Sequence, residues 1–262
     1  MNLDALDHPH TSLIEAIAIT KAFGGISALN DVSIEVAPGE MVGLIGPNGA
    51  GKTTLFNCIC GTTQPDQGKV IFEGRDITTC PLYKRAGLGI GRTFQRLELF
   101  SSMTVREHLT VALRAKNGPG RLWRDLANLG SPTRNELARA QAMIELLQLD
   151  EVAKAPVDRL SLGKGRLVEL GRALIRSPKI LLLDEPSSGL DSSETDSFID
   201  TLVTVQSANK MAIVVVEHDL DVVVELTDRL YVLDFGKLIA SGPTKEVLES
   251  EVVRTAYLGA RK

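Results

Sequence analysis

Residues 46–54 read Gly46-Pro47-Asn48-Gly49-Ala50-Gly51-Lys52-Thr53-Thr54, directly after the apolar run Met41-Val42-Gly43-Leu44-Ile45. An apolar run of this length is typical of a buried strand, and residues 54–59 suit a helix. The stretch therefore predicts a strand, a glycine-rich loop and a helix in succession. In that arrangement the backbone N–H groups form an anion-binding nest, and the positive end of the helix dipole points at the same place.

The loop has the composition needed to hold a nucleoside triphosphate. Its glycines let the backbone approach closely spaced phosphates, Lys52 is expected to contact the outer phosphates, and the Thr53 hydroxyl is expected to bind Mg²⁺. A glycine-rich turn that binds nothing is the alternative, which the flanking strand and helix disfavour. The predicted nucleotide-binding residues of this stretch are Gly46, Pro47, Asn48, Gly49, Ala50, Gly51, Lys52, Thr53 and Thr54.

A second apolar run, Ile180-Leu181-Leu182-Leu183, ends in two adjacent carboxylates, Asp184 and Glu185. Open α/β sheets bind their ligands at the carboxyl ends of strands. Paired carboxylates there need a compensating cation, which Mg²⁺ with its phosphates would supply. We therefore expect Asp184 to hold the metal through water and Glu185 to orient or deprotonate the attacking water. A solvated pair at a strand end is the alternative.

Two aromatic side chains are further candidates. His218 follows the strand-like run Val214-Val215-Val216-Glu217, where an imidazole N–H could contact the γ-phosphate. Phe23 precedes Gly24-Gly25 upstream of the glycine-rich loop and is a candidate for stacking on adenine. Packing or surface exposure is the alternative for His218, and core or turn packing for Phe23. His108 is expected to pack within a helical region.

The composition excludes several classes of protein. The 262 residues, 44% hydrophobic and 24% charged, suit one large α/β domain or two small ones. The formal net charge of −4 offers no basic surface for nucleic acid, so we expect no nucleic-acid partner. The apolar runs are shorter than the roughly 20 residues of a membrane span, and the N-terminus lacks a secretory signal. The cysteines, Cys58, Cys60 and Cys80, are odd in number and indicate a reducing, cytoplasmic setting.

The order of patterns along the chain predicts an α/β protein with three parts. Residues 1–11 are polar and are expected to form a flexible tail. Strand patterns at 13–20, 32–36 and 69–72 predict an antiparallel β subdomain at the N-terminal side. Residues from about 96 to 160 have helical spacing and predict an inserted α-helical subdomain. Within it, the basic segment around Trp123 is either a solvated loop or a short amphipathic element that touches a membrane partner.

The combination of these motifs closely resembles the ATP-binding cassette (ABC) ATPases in order and spacing. It comprises Gly46–Thr53, Gln95, Leu160-Ser161-Leu162-Gly163-Lys164, Ile180–Pro186, Ser188-Gly189-Leu190-Asp191 and His218. The resemblance covers nearly the whole chain. It implies a single ATP-binding domain over residues 12–262, with a RecA-like P-loop NTPase core and a mixed sheet.

The resemblance also implies a reaction and a geometry. The protein would hydrolyse ATP with Mg²⁺ as a head-to-tail dimer, with the same or a different cassette as its partner. Phe23 would stack on adenine, Ser161 and Gly163 would cap the partner's ATP, and Asp191 would cross the dimer interface. Glu185, His218, Lys52 and Gln95 would act in catalysis, and Thr53, Gln95 and Asp184 would hold the metal. The signature motif departs from the common Leu-Ser-Gly-Gly-Gln at Leu162 and Lys164, but keeps the serine hydroxyl and the helix N-terminus.

Several stretches most resemble the ATPase subunits of branched-chain amino-acid importers, namely Gly91–Gln95, Leu99–Val105, Val216–Asp219, Ile239–Pro243 and Ala256–Gly259. This implies a cytoplasmic subunit, peripheral on the inner face of the membrane, that works with integral membrane permease subunits and, through them, an extracytoplasmic solute-binding protein. Cassettes for urea uptake or lipopolysaccharide export share several of these stretches and remain alternatives. A soluble cassette acting on DNA or ribosomes is disfavoured by the acidic charge and the lack of heptads. A P-loop kinase or GTPase would not need the signature or His218.

Overall fold

The structure, a computed structural model, describes residues 12–93, 99–114 and 132–259. Its strands are β1 (Ile14–Phe23), β2 (Ile26–Val36), β3 (Met41–Ile45), β4 (Gln67–Phe72), β5 (Arg75–Asp76), β6 (Ile90–Arg92), β7 (Ile180–Asp184), β8 (Ala212–Val216), β9 (Arg229–Asp234) and β10 (Lys237–Pro243). Its helices are α1 (Lys52–Cys60), α2 (Leu82–Leu88), α3 (Val105–Arg114), α4 (Arg134–Leu146), α5 (Leu162–Leu174), α6 (Ser192–Asn209), α7 (Leu220–Leu226), α8 (Thr244–Glu249) and α9 (Glu251–Gly259). The predicted tail 1–11, Gln95 and Trp123 lie outside the described residues.

The strands form two sheets. One is antiparallel, in the order β2, β1, β4 and β5. The other has six strands in the order β10, β9, β3, β8, β7 and β6, and every neighbouring pair is parallel except β10 with β9. The predicted fold class, an α/β protein with a mixed sheet and an N-terminal antiparallel sheet, is confirmed. β2 begins at Ile26, earlier than the predicted Val32.

Helix α1 joins the two sheets into one core. Its side chains Leu55, Phe56 and Ile59 are buried in a cluster that also contains Ile19 of β1 and Val214 of β8. The central strands β3, β8 and β7 are buried along their whole length, because α1 covers one face and the helical region covers the other. This burial explains their continuous apolar sequences and fixes the edge at which they end.

The helical region packs on the opposite face of the mixed sheet. Leu109 of α3, Ile144 of α4 and Leu170 of α5 are fully buried in a second cluster. The helix predicted over residues 135–149 ends at Leu146, because Gln148 adopts a left-handed backbone conformation with φ 54°. The bounds of the insertion, about 96 to 160, stay a prediction, since residues 94–98 and 115–131 lie outside the described ranges.

A buried arginine, Arg85 of α2, fastens the far end of α1. Its guanidinium donates hydrogen bonds to the carbonyls of Cys58 and Ile59 at that end, at 2.9 and 2.6 Å, and its Nε donates to Cys80. Two further carbonyls, in the segment between β5 and α2, accept from the same group. The cation therefore neutralises the negative end of the α1 dipole and satisfies carbonyls that the helix leaves open.

All three cysteines are free thiols. Cys58 and Cys60 are buried, and burial raises the pKa of their thiols to about 11 and about 12. Cys80 is partly buried.

Within the described ranges, no helix has both the length and the apolar content needed to cross a bilayer.

Candidate functional site

The phosphate loop, residues 46–54, connects β3 to α1 at the carboxyl end of the central strand. Gly46, Gly49 and Gly51 have φ values of 148°, 81° and 102°. A Cβ atom at Gly46 would lie 2.1 Å from the carbonyl oxygen of Leu233, and one at Gly51 would lie 2.5 Å from that of Ala28. Glycine is therefore required for both backbone conformation and space at these two positions.

Lys52, the first residue of α1, is buried at the base of the loop with 7% of its surface exposed. Its Nζ donates hydrogen bonds to the carbonyl oxygens of Gly46 and Pro47 at 2.6 and 3.0 Å. Burial lowers the pKa of Lys52, and the nearby Glu185 and Asp184 oppose that change. The ammonium group thus lies within the field of the predicted metal ligand Asp184 and the predicted base Glu185, and it donates to the loop's own carbonyls.

Asp184 is the last residue of β7 and is 5% exposed. Burial raises the pKa of this carboxyl, and the charges of Glu185 and Glu217 raise it further, against the lowering effect of Arg92 and Lys52. A carboxyl whose surroundings resist ionisation in this way is suited to a divalent cation, which would favour its charged form. The electrostatics therefore fit the predicted role of Asp184.

Glu185 directly follows the strand in an unusual conformation. Its φ is 47°, in the left-handed region that non-glycine residues rarely adopt, and its N–H donates to the carbonyl of Val216 at 2.9 Å. Backbone strain of this kind is held in place only by well-fixed surroundings and is common at functional sites. The hydrogen bond to the end of β8 supplies that support.

Glu217 is a residue whose importance the sequence reading missed. It is fully buried, and one carboxylate oxygen accepts hydrogen bonds from the N–H and the hydroxyl of Ser187 at 3.0 and 2.6 Å. The other oxygen accepts from the N–H of His218 at 3.1 Å. Glu217 thereby ties the segment after β7 to the residue after β8. A carboxylate directly after a wholly apolar strand was the available signal, but its partner Ser187 is remote in sequence.

His218 lies at the carboxyl end of β8, next to both β3 and β7. Its side chain is 59% exposed, and its Nδ1 lies 3.7 Å from the Glu217 carboxylate. Because β3, β8 and β7 are parallel neighbours, their ends bring Lys52, Asp184 and His218 to one edge of the sheet. Thr53 is exposed in the first turn of α1 at the same edge.

This set of residues fits a magnesium ion held jointly with phosphates. Among the described residues, no group of three or more His, Cys, Asp or Glu side chains could hold a metal alone. Mg²⁺ keeps several waters and is commonly bound by one or two carboxylates together with phosphate oxygens. The carboxylate of Asp184 and the hydroxyl of Thr53 are ligands of that kind.

The signature residues lie elsewhere, at the N-terminus of α5. Ser161 is the N-cap, and its Oγ accepts a hydrogen bond from the N–H of Lys164 at 3.3 Å. The N–H of Gly163 donates to a carboxylate oxygen of Glu194 in α6 at 3.1 Å. Asp191 is the N-cap of α6 and accepts from the N–H of Glu194 at 2.8 Å.

Ser161 and Gly163 line a cleft of about 300 Å³ between the starts of α5 and α6. None of the residues that line this cleft belongs to the phosphate loop. One chain thus carries two separate groups of predicted ATP-contacting residues, one at the sheet edge and one at this cleft.

Phe23 and Gln95 complete the predicted set. Phe23 is the last residue of β1, its ring is 52% exposed, and the Nζ of Lys21 lies 5.4 Å from the ring centroid. An exposed aromatic face at a strand end is free to stack on a ligand. Gln95 lies outside the described residues, so its predicted role in catalysis and metal binding stays a prediction. His108 is buried as expected, and burial lowers its pKa.

Comparison with known proteins gives a consistent result. Residues 29–188 match the family model described as ABC transporter. The chain is 36% identical over 250 residues to the high-affinity branched-chain amino acid transport ATP-binding protein LivG of Escherichia coli (strain K12), covering 94% of this chain and 98% of that protein. It is 35% identical over 250 residues to BraF of Pseudomonas aeruginosa, which carries the same description, with the same coverage.

Solved structures agree in fold. A nucleotide-free ATP-binding cassette from an ABC transporter superposes with a TM-score of 0.83 at 32% identity, over 94% of this chain and 98% of that one. The ADP conformation of the cassette MJ1267 gives 0.84 at 33% identity, over 95% and 99%. The dimeric, post-hydrolysis cassette MJ0796 bound to ADP and Pi gives 0.74 at 26% identity, over 88% and 98%.

Proposed function

The chain belongs to the ABC transporter family and is an ATP-binding, ATP-hydrolysing cassette, and from this we propose that it powers uptake of branched-chain or other hydrophobic amino acids. The transport would pass through integral membrane permease subunits, with this chain on their cytoplasmic face and a solute-binding protein outside. The names of LivG and BraF, both ATP-binding proteins of branched-chain amino acid transport, support this substrate class.

The observation that carries the ATPase mechanism is the meeting of three strand ends at one sheet edge. On binding ATP, Lys52 exchanges the carbonyls of Gly46 and Pro47 for phosphate oxygens. Thr53 and, through water, Asp184 would hold Mg²⁺, which would offset the charge of the phosphates. Glu185 orients or deprotonates the attacking water and His218 contacts the γ-phosphate. Gln95 would contact the metal and the attacking water, and Phe23 would stack on the adenine.

The signature residues are assigned to the ATP of a second cassette. Ser161 and Gly163 lie in a cleft separate from the phosphate loop of their own chain, which supports contact with a partner's nucleotide, with Asp191 at the interface. The dimeric MJ0796 cassette is a precedent for such an assembly. ATP would then stabilise the closed dimer only to the extent that it binds that state more tightly than the open one.

A groove at the edge strand β6 is the surface we assign to the permease. It has a volume of about 280 Å³ and lies between α2, α3, α5 and this strand. Its lining includes the apolar side chains Leu82 and Ala112 and the cationic Arg92 and Arg172. Such a surface suits an amphipathic helix with an acidic side.

The ATPase assignment is tested with Glu185→Gln. Without its carboxylate the enzyme should keep ATP affinity, lose at least about a hundredfold in turnover, and accumulate an ATP-bound dimer measurable by sedimentation. Glu225→Gln, an exposed carboxylate on α7, is the matched control and should behave as the native chain does. Turnover by Glu185→Gln at the native rate would overturn the assigned base.

The transport assignment is tested by reconstitution in proteoliposomes with the permease subunits and the solute-binding protein of the proposed transporter. Leucine, isoleucine or valine should stimulate ATP hydrolysis, while urea should not. Stimulation by urea or by a lipopolysaccharide, with no response to these amino acids, would contradict the proposed substrate class and leave the ATPase assignment intact.

A further inference from the structure

The N-terminus of the signature helix α5 is already occupied by an anion of its own chain. A free helix N-terminus offers unpaired N–H donors to anionic ligands. Here the N–H of Gly163 donates to the Glu194 carboxylate at 3.1 Å, and the N–H of Lys164 donates to the Ser161 hydroxyl at 3.3 Å. Two donors of this first turn are therefore satisfied internally.

The sequence is arranged to allow this contact. A Cβ atom at position 163 would lie 2.9 Å from the Cδ and Cγ atoms of Glu194, so only glycine leaves room for the carboxylate to reach the backbone. Glu194 is itself held at its base, because its N–H donates to Asp191 at 2.8 Å in the first turn of α6. The residue that reaches the signature helix is thus fixed by the residue assigned to the dimer interface.

The same donor is the one assigned above to the partner's ATP. A terminal phosphate brought to Gly163 would meet the Glu194 carboxylate, and the two anions would compete for one N–H while repelling each other. Lys164, half-buried in the same turn, supplies a positive charge there.

We propose that Glu194 is a positioning residue that occupies the phosphate-binding N–H of the signature helix in the open state and must withdraw for the dimer to close on ATP. The proposal rests on the function proposed for Ser161 and Gly163. The ATP concentration needed for dimer closure should therefore depend on Glu194 as well as on the phosphate loop, because the contact of Glu194 with Gly163 is broken each time the dimer closes.

The test uses the full-length chain with Glu185→Gln, so that ATP hydrolysis does not dissociate the dimer. The ATP concentration at half-maximal dimerisation is measured by sedimentation. Adding Glu194→Ala should lower that concentration about tenfold, the factor that corresponds to one hydrogen bond to a charged group. Glu194→Gln, which keeps an acceptor and removes the charge, should lower it by a smaller factor. Asp196→Asn, an exposed carboxylate on the same helix, is the matched control and should leave it unchanged.

The sign of the effect separates this role from a structural one. If Glu194 only stabilised the fold, both variants would leave unchanged or raise the ATP concentration at half-maximal dimerisation, and the inference would be wrong. ATP affinity of the monomer should stay unchanged, because Glu194 lies in the cleft away from the phosphate loop. Ser161→Ala tests the premise: if it leaves dimerisation intact, the signature role itself fails, whereas if it weakens dimerisation and Glu194→Ala does not strengthen it, only the present inference fails.

Discussion

The phosphate-loop edge and the start of the signature helix are both phosphate-binding surfaces by sequence, yet they are built differently. At the sheet edge, Asp184 and Glu217 are buried, and the phosphate loop requires glycine at positions 46 and 51. At the signature helix the N–H of Gly163 is bonded by the side chain of Glu194, and the N–H of Lys164 by that of Ser161. The backbone of the first surface is fixed, and only the ammonium group of Lys52 must change partners there. At the second surface a backbone donor itself becomes accessible only after Glu194 moves.

Paired glycine substitutions test this difference most strongly. Gly46→Ala places a Cβ atom 2.1 Å from the backbone oxygen of Leu233 at φ 148°, so it should reduce the free energy of unfolding by about 3 kcal/mol or more and abolish ATP binding. In Gly163→Ala the added Cβ atom contacts only the end of the Glu194 side chain, so the free energy of unfolding should fall by less than about 1 kcal/mol. Urea unfolding and nucleotide titration measure both. Equal losses would show that the two surfaces do not differ in rigidity.

Glu217→Ala is expected to have the next largest effect. It leaves the N–H and hydroxyl of Ser187 and the N–H of His218 without their acceptor, which should lower the free energy of unfolding by about 2–3 kcal/mol. Turnover should fall more than ATP affinity, because His218 and the segment after Glu185 lose their mutual support. Denaturant unfolding and steady-state kinetics measure these changes. Native kcat in a destabilised protein would limit Glu217 to a structural role.

Asp184→Asn should separate stability from activity. Burial raises the pKa of Asp184 above the ordinary 3.8, so the folded state binds its proton more tightly than the unfolded state does. The contribution of this group to stability is then full below pH 3.8 and is lost as pH rises through the folded-state pKa. Without nucleotide, the variant should therefore be about 1 kcal/mol more stable than the native chain at pH 7, with the difference vanishing in acid, while Mg²⁺-dependent turnover is lost. Unfolding at several pH values checks the sign, and a less stable variant at pH 7 would contradict it.

Phe23→Leu should give the smallest effect. The ring is half exposed, so the free energy of unfolding should change by less than about 0.5 kcal/mol. Loss of stacking on adenine should weaken ATP affinity about fivefold, equivalent to about 1 kcal/mol. Ile26→Ala, at an exposed position on the facing strand, is the control and should leave ATP affinity unchanged. Unaltered affinity in Phe23→Leu would remove Phe23 from the site.

The sequence predicted local structure correctly where that structure depends on contiguous residues. The run from Met41 to Thr54 specifies a strand, a loop and a helix locally, and the rule that ligands bind at carboxyl ends of strands placed Asp184 and His218 at the same edge. Longer-range partners were not predictable. The contacts of Glu217 with Ser187 and of Glu194 with Gly163 join residues far apart in sequence, and ordinary carboxylates give no periodic signal of burial or partner.

Two local backbone conformations were also not predictable from the sequence. The left-handed conformations at Glu185 and Gln148 have no glycine to mark them, so neither the strained turn after β7 nor the early end of α4 could be read from the sequence. Both are imposed by tertiary packing, which outweighs local preference.

Arg85 gives the molecule a mechanical property. The guanidinium donates to two carbonyls at the far end of the helix that starts at Lys52 and to three in the segment between β5 and α2, so it couples that helix to that segment. A force on the ammonium group of Lys52 should then be transmitted along α1 into the antiparallel sheet.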